Sequence, residues 1–182
     1  MSISTKQILQ FLTVIAWIIF IGLCIEAGGT LFNTFFPQVV HPAAAGKFWD
    51  GADMTALYRY DKGYFLVQGV IISIVAVLKA IMFYLLIKLL HNKHLTMEQP
   101  FRKETTRFIF NVSYLTLLIG LFSIYGKNYS SWLGKKGIVM PALEQMNLGG
   151  ADVWLFMSVT LFVIGHIFKR GIDIQTENEL TV

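Results

Sequence analysis

Hydrophobic residues in this chain gather into four blocks separated by more polar connections. The blocks are Ile8–Ile25, Tyr64–Leu90, Phe108–Tyr125 and Val153–Phe168, and Lys79 is the one charge deep inside any of them. A bilayer's hydrocarbon core, about 30 Å thick, is crossed by about 20 helical residues rising about 1.5 Å each. Each block reaches that length once its flanks are added, which predicts spans at about 8–27, 64–90, 108–125 and 151–168. The expected fold is all-α, an integral-membrane four-helix bundle in a single membrane domain over 1–182. The longest connection is only roughly 25 residues, too short for an independent globular domain. Any function belongs to the bundle, its loops or a partner.

The connections carry shape signals. Pro37 and Pro42, with the small residues Ala43–Gly46, are expected to stop the first helix. Beyond them Phe48, Trp49, Leu57 and Tyr58 form an aromatic segment too apolar for a solvated linker, expected on the membrane surface or packed on a neighbour. In the second long loop Pro141 is expected to begin a short helix through Gln145, ended by Gly149-Gly150. Packing between the loops is expected rather than a binding cap.

Lysine and arginine near span ends set orientation. Lys6, Lys88, Lys93, Arg102, Lys103, Arg107, Lys169 and Arg170 fall on one side; Lys47, Arg59, Lys62, Lys127, Lys135 and Lys136 fall on the other. The bias predicts cytoplasmic termini, a cytoplasmic loop at 91–107, outer loops at 37–63 and 126–150, and a cytoplasmic tail at 169–182. Tyr58, Tyr60, Tyr64, Tyr125, Trp132 and Trp154 then fall near the outer interface, where amphipathic rings are favoured.

Composition agrees with a membrane protein: 55% of residues are hydrophobic, 14% are charged, and the mean hydropathy is +0.59. The net charge of +4 is spread along membrane boundaries. That pattern fits anionic lipid rather than direct contact with nucleic acid. Cys24 is the single cysteine, so neither an intramolecular disulfide nor a zinc framework is open to it, and it is expected to be a buried apolar filler. Lys6 followed by Ile8–Ile25 has the order of a signal peptide, but the block is too long for a typical apolar core. Leu23 precedes Cys24, and Ala43–Ala45 lie far downstream, so the segment is expected to be a retained helix.

An ionisable group inside a span is a functional hypothesis by default, which singles out Lys79. With Ile8 set level with Leu90, Lys79 stands about 16 Å above that level and Glu26 about 27 Å, a mismatch of about 11 Å. Hydroxyls on Thr116, Ser158 and Thr160 are therefore the expected partners of the ammonium. His91 and His94 share a helix face by spacing but lack further ligands of the right kind, and His166 has no matching nucleophile or carboxylate. Glycine-rich phosphate motifs are missing as well. The expectation is a protein without catalytic residues, metal or cofactor.

After Lys169-Arg170 the chain reads Gly171-Ile172-Asp173-Ile174-Gln175-Thr176-Glu177-Asn178-Glu179-Leu180-Thr181-Val182. This resembles the ending of the YoaS-like family of small bacterial four-span membrane proteins, a family labelled as a domain of unknown function. Ile174, Glu177, Asn178, Leu180, Thr181 and Val182 match its closing segment, and Glu179 stands where aspartate is usual. Leu85–Leu90 followed by Gln99-Pro100-Phe101 resembles the family's middle loop, although Arg102-Lys103 stands where small polar residues are more usual. The resemblance implies a bacterial inner-membrane protein, often encoded beside a short helix-turn-helix regulator. The tail could dock on such a partner as an amphipathic segment or an added strand, or fold back on Arg102, Lys103 and Arg107. The function expected is regulatory or scaffolding, with no enzymatic activity. A small transporter or channel built around Lys79, assembled as a homo-oligomer, is the alternative.

Overall fold

The computed structural model describes residues 5–91 and 102–179. Four long helices, α1 (Thr5–Val39), α3 (Lys62–Leu90), α4 (Lys103–Lys135) and α5 (Ala151–Glu179), carry the four apolar blocks, and a short α2 (Thr55–Tyr60) lies in the first long connection. No strand occurs among the described residues. All four long helices have the length and apolarity to cross a membrane. The protein is a multi-pass membrane protein built as an all-α bundle.

The helices run past their apolar blocks. α1 continues through Pro37 to Val39, because a proline in the last turn forfeits only one amide bond, to the carbonyl four residues back. The Pro37 carbonyl in turn accepts from the Tyr58 hydroxyl at 2.8 Å, which ties the loop to the helix end. α3 starts sharply at an extended Asp61, whose Oδ1 accepts from the Tyr64 amide at 2.8 Å as an N-cap. α4 extends well beyond Tyr125. Pro141 opens no helix. The chain instead makes a turn through Leu143–Asn147, in which the Leu148 amide donates to the Leu143 carbonyl at 3.0 Å.

Small residues set the seams. On α1, Thr34 faces Gly69 and Ser73 of α3, and Thr30 is buried one turn before it, a small-xxx-small pattern on both helices. The Thr34 and Ser73 hydroxyls lie 3.4 Å apart, and each donates back along its own helix, Thr34 to the Thr30 carbonyl and Ser73 to the Gly69 carbonyl. A Cβ on Gly69 would come within 2.6 Å of Thr34 Oγ1, so only glycine allows this approach. On the far side, Gly120 admits Leu155, Gly165 meets the Phe110 ring, and Ser113 Oγ donates to the Ser158 carbonyl at 2.9 Å, which joins α4 to α5.

Each long helix packs chiefly on its neighbour in sequence, α1 on α3, α3 on α4 and α4 on α5. The bundle is thus an open row in which α1 and α5 are the edges. Its core lies at the loop-bearing end. There Ala45, Phe48, Ala52, Met54, Leu57 and Tyr58 from the first connection, and Ile138, Met146 and Leu148 from the second, join Phe65, Ile71, Ile72 and Val75 of α3 and Ile119 and Leu133 of α4. Both long connections therefore pack on the helices, with Trp49 laid against Gly29 where a side chain would otherwise stand. Cys24 is on the exposed face of α1 rather than packed inside, since α1 turns most of its circumference away from the row.

Candidate functional site

Gln68, Ile72, Val75 and Lys79 follow one another at helical spacing along α3, and the first three are sealed from solvent, at 0, 2 and 1% exposure. Lys79 is the next residue on that stripe, one turn further along α3. Its Nζ lies 3.9 Å from Glu26 Oε1 of α1, and the two side chains keep only 15 and 16% of their surface exposed. The ammonium also donates to the Asn147 carbonyl at 3.4 Å. Three elements thus meet at one charge.

The partners correct the sequence expectation. Thr116 Oγ1 is occupied by its own helix, donating to the Val112 and Ser113 carbonyls at 3.0 and 2.9 Å. Thr160 Oγ1 donates to the Phe156 carbonyl, and Ser158 is drawn into the α4–α5 seam. None of the three serves Lys79. The cause is register: Phe20 meets Tyr84, Glu26 meets Lys79 and Thr34 meets Ser73, so α1 slides along α3 by nearly two turns relative to an alignment of Ile8 with Leu90. That slide is about 11 Å at the helical rise, which removes the axial gap between the two charges.

Asn147 was missed because a carbonyl carries no side-chain signature. Its φ of 54° lies in the left-handed region, which asparagine tolerates better than most residues. Met146 and Leu148, each 1% exposed, anchor the turn on both sides of it. Met146 Sδ accepts from Gln68 Nε2 at 3.5 Å, and Leu148 occupies the space left by Gly126. A hydrophobic pair flanking an asparagine just before Gly149-Gly150 was the legible hint. Separated by 3.9 Å, beyond the roughly 2.7–2.9 Å of a direct charge-assisted hydrogen bond, the pair is an electrostatic contact, and Glu26 Oε1 is buried without a hydrogen bond. Such an arrangement holds two opposite charges side by side as a neutral unit.

The remaining predicted residues lie at the other end. Ile174 and Glu177 are exposed on α5, whose backbone stays helical through Asn178 and Glu179, so the tail up to that point is a helix and not an added strand. Leu180, Thr181 and Val182 lie outside the described residues, as do His94 and Gln99-Pro100-Phe101. His91 closes α3, its amide donating to the Ile87 carbonyl at 2.9 Å. His166 is exposed on α5 with its ring edge-on to Phe110 and Phe162 at 5.3 and 4.8 Å.

Neither a curated protein nor a solved structure matches this chain. The model of one family, described as "Protein of unknown function (DUF2975)", matches residues 49–182. That stretch takes in α2 through α5, with Lys79 and Asn147, while α1 and Glu26 precede it. With the larger part of its length matched in this way, the chain belongs to the DUF2975 family of proteins of unknown function.

Proposed function

We propose that the protein is a non-enzymatic regulatory or scaffolding protein of the bacterial inner membrane that holds a cytoplasmic partner on the last turns of α5. The observation that carries this reading is the continuity of α5: the helix leaves its apolar block, passes Lys169-Arg170 and runs on to Glu179 without a break. Nine residues beyond Arg170 project about 13 Å at the helical rise. A stiff extension of that kind presents a fixed face, and Ile174 and Glu177 are exposed on it. The partner favoured by the family resemblance is a helix-turn-helix regulator, read through its own protein surface. Replacing Glu177, Asn178 and Glu179 with alanine leaves the apolar blocks untouched, so insertion is expected to persist while the partner leaves the membrane fraction by at least about tenfold, the equivalent of about 1.4 kcal/mol. Pull-downs from native membranes read by mass spectrometry check this. Full retention of every partner, together with a lowered melting temperature in detergent, defeats the reading and makes the tail an internal brace.

The Glu26–Lys79 pair favours a second reading, a small transporter or channel. Under it, reconstituted vesicles carry a proton or solute flux that disappears in Glu26→Gln. Equal flux in protein-free vesicles sinks it.

A further inference from the structure

At the end of the row where α1 begins and α5 ends, the last turns of α3 and the first turns of α4 enclose an open groove of about 200 Å³. We infer that this groove is a binding site for the phosphate of an anionic phospholipid. Lys88 and Arg107 supply two cations, Asn111 a neutral polar side chain one turn further along α4, Leu85 and Phe108 part of an apolar floor, and Glu104 a carboxylate at the rim. The side chains of Lys88 and Arg107 are exposed, and among the described residues neither is closed into a salt bridge with Glu104.

Depth selects a lipid over a soluble anion. Arg107 is the residue immediately before the apolar block of α4, and Lys88 stands two residues before α3 ends. The groove therefore straddles the boundary where a lipid keeps its phosphate in the headgroup layer and its chains in hydrocarbon. The guanidinium matches two phosphate oxygens at once, and the ammonium meets a third as a point charge. Charge selects the class of lipid. Two cations and one carboxylate leave a single positive charge, which one phosphodiester monoanion neutralises, whereas a zwitterionic headgroup brings no net charge to meet it. The leaflet follows from the orientation proposed above, since anionic lipid attracts basic groups at the cytoplasmic surface.

The test uses the full chain in nanodiscs of phosphatidylcholine doped with phosphatidylglycerol, released gently and weighed by native mass spectrometry. Wild-type protein is expected to retain one phosphatidylglycerol. K88Q/R107Q is expected to lose it by roughly thirtyfold, at about one lipid-facing charge's worth of attraction per cation removed. K127Q/K135Q, altered at the opposite end of α4, should match wild type. E104Q is expected to retain more phosphatidylglycerol than wild type, a gain that misfolding cannot imitate. Undiminished retention by K88Q/R107Q, equal retention of phosphatidylcholine, or binding of added glycerol phosphate as tight as that of the lipid would each overturn the inference. No described residue of the tail lines this groove, and the substitutions that test the lipid lie outside 177–179, so loss of the cytoplasmic partner and loss of the lipid are separately readable.

Discussion

Lys79 is held by a carboxylate from one helix and a backbone carbonyl from a turn, and the two contacts respond differently to substitution. The carbonyl belongs to a turn anchored by Met146 and Leu148, so it stays in place whatever replaces Lys79. Glu26 does not have that independence. Removing the ammonium leaves a largely buried carboxylate without its counter-ion, so Lys79→Met alone is expected to destabilise the protein by roughly 2 kcal/mol, below the cost of breaking a fully buried pair because both side chains keep some exposure. The double variant Glu26→Gln/Lys79→Met should recover most of that loss. Unfolding in mixed micelles, read by circular dichroism for both singles and the double, closes the cycle. A double variant no more stable than Lys79→Met would mean that the pair is not coupled. At this scale the sequence showed that Lys79 needs a partner, but its choice depended on a helix register that apolar block edges do not define.

At the scale of elements, four helices were legible because hydrocarbon thickness imposes a length on any spanning block. Their true ends were not. α1 and α4 overshoot where one face of their added turns is covered by protein: Pro37 sits under Tyr58, and Leu133 is fully buried in the core. Hydropathy measures affinity for lipid and is silent on polar turns covered by a neighbouring loop. The aromatic content of Phe48–Tyr58 announced packing, whereas the docking of Trp49 on Gly29 depends on two residues far apart in sequence. The seams were likewise hidden, since Thr30, Thr34, Gly69 and Ser73 are unremarkable until two helices bring them face to face.

For the whole molecule, the lysine and arginine distribution gives an orientation that labelling can decide. Ser131, exposed near the far end of α4, and Thr176, exposed near the far end of α5, stand at opposite ends of the row. In a Cys24→Ala background, cysteine at Ser131 is expected to react with an impermeant thiol reagent in intact cells, and cysteine at Thr176 only after the cells are opened. The reverse pattern would invert the topology and with it the proposed location of the partner and of the lipid site. The open row was not legible in the sequence, because four apolar blocks fit a closed bundle equally well. What separates the two is where small residues fall around each helix, which decides which neighbours can approach closely.

The row also bears on how such a chain is made. Contacts that follow the order of the sequence can form as each helix leaves the ribosome, with little waiting for distant partners. Glu26 and Lys79 belong to the first hairpin, α1 with α3. The ammonium that would be the hardest group to place in lipid can thus enter beside its counter-ion while α4 and α5 are still unsynthesised. Only the Asn147 carbonyl arrives late, with the turn that precedes the last helix, so biosynthesis neutralises this charge first and completes its coordination last.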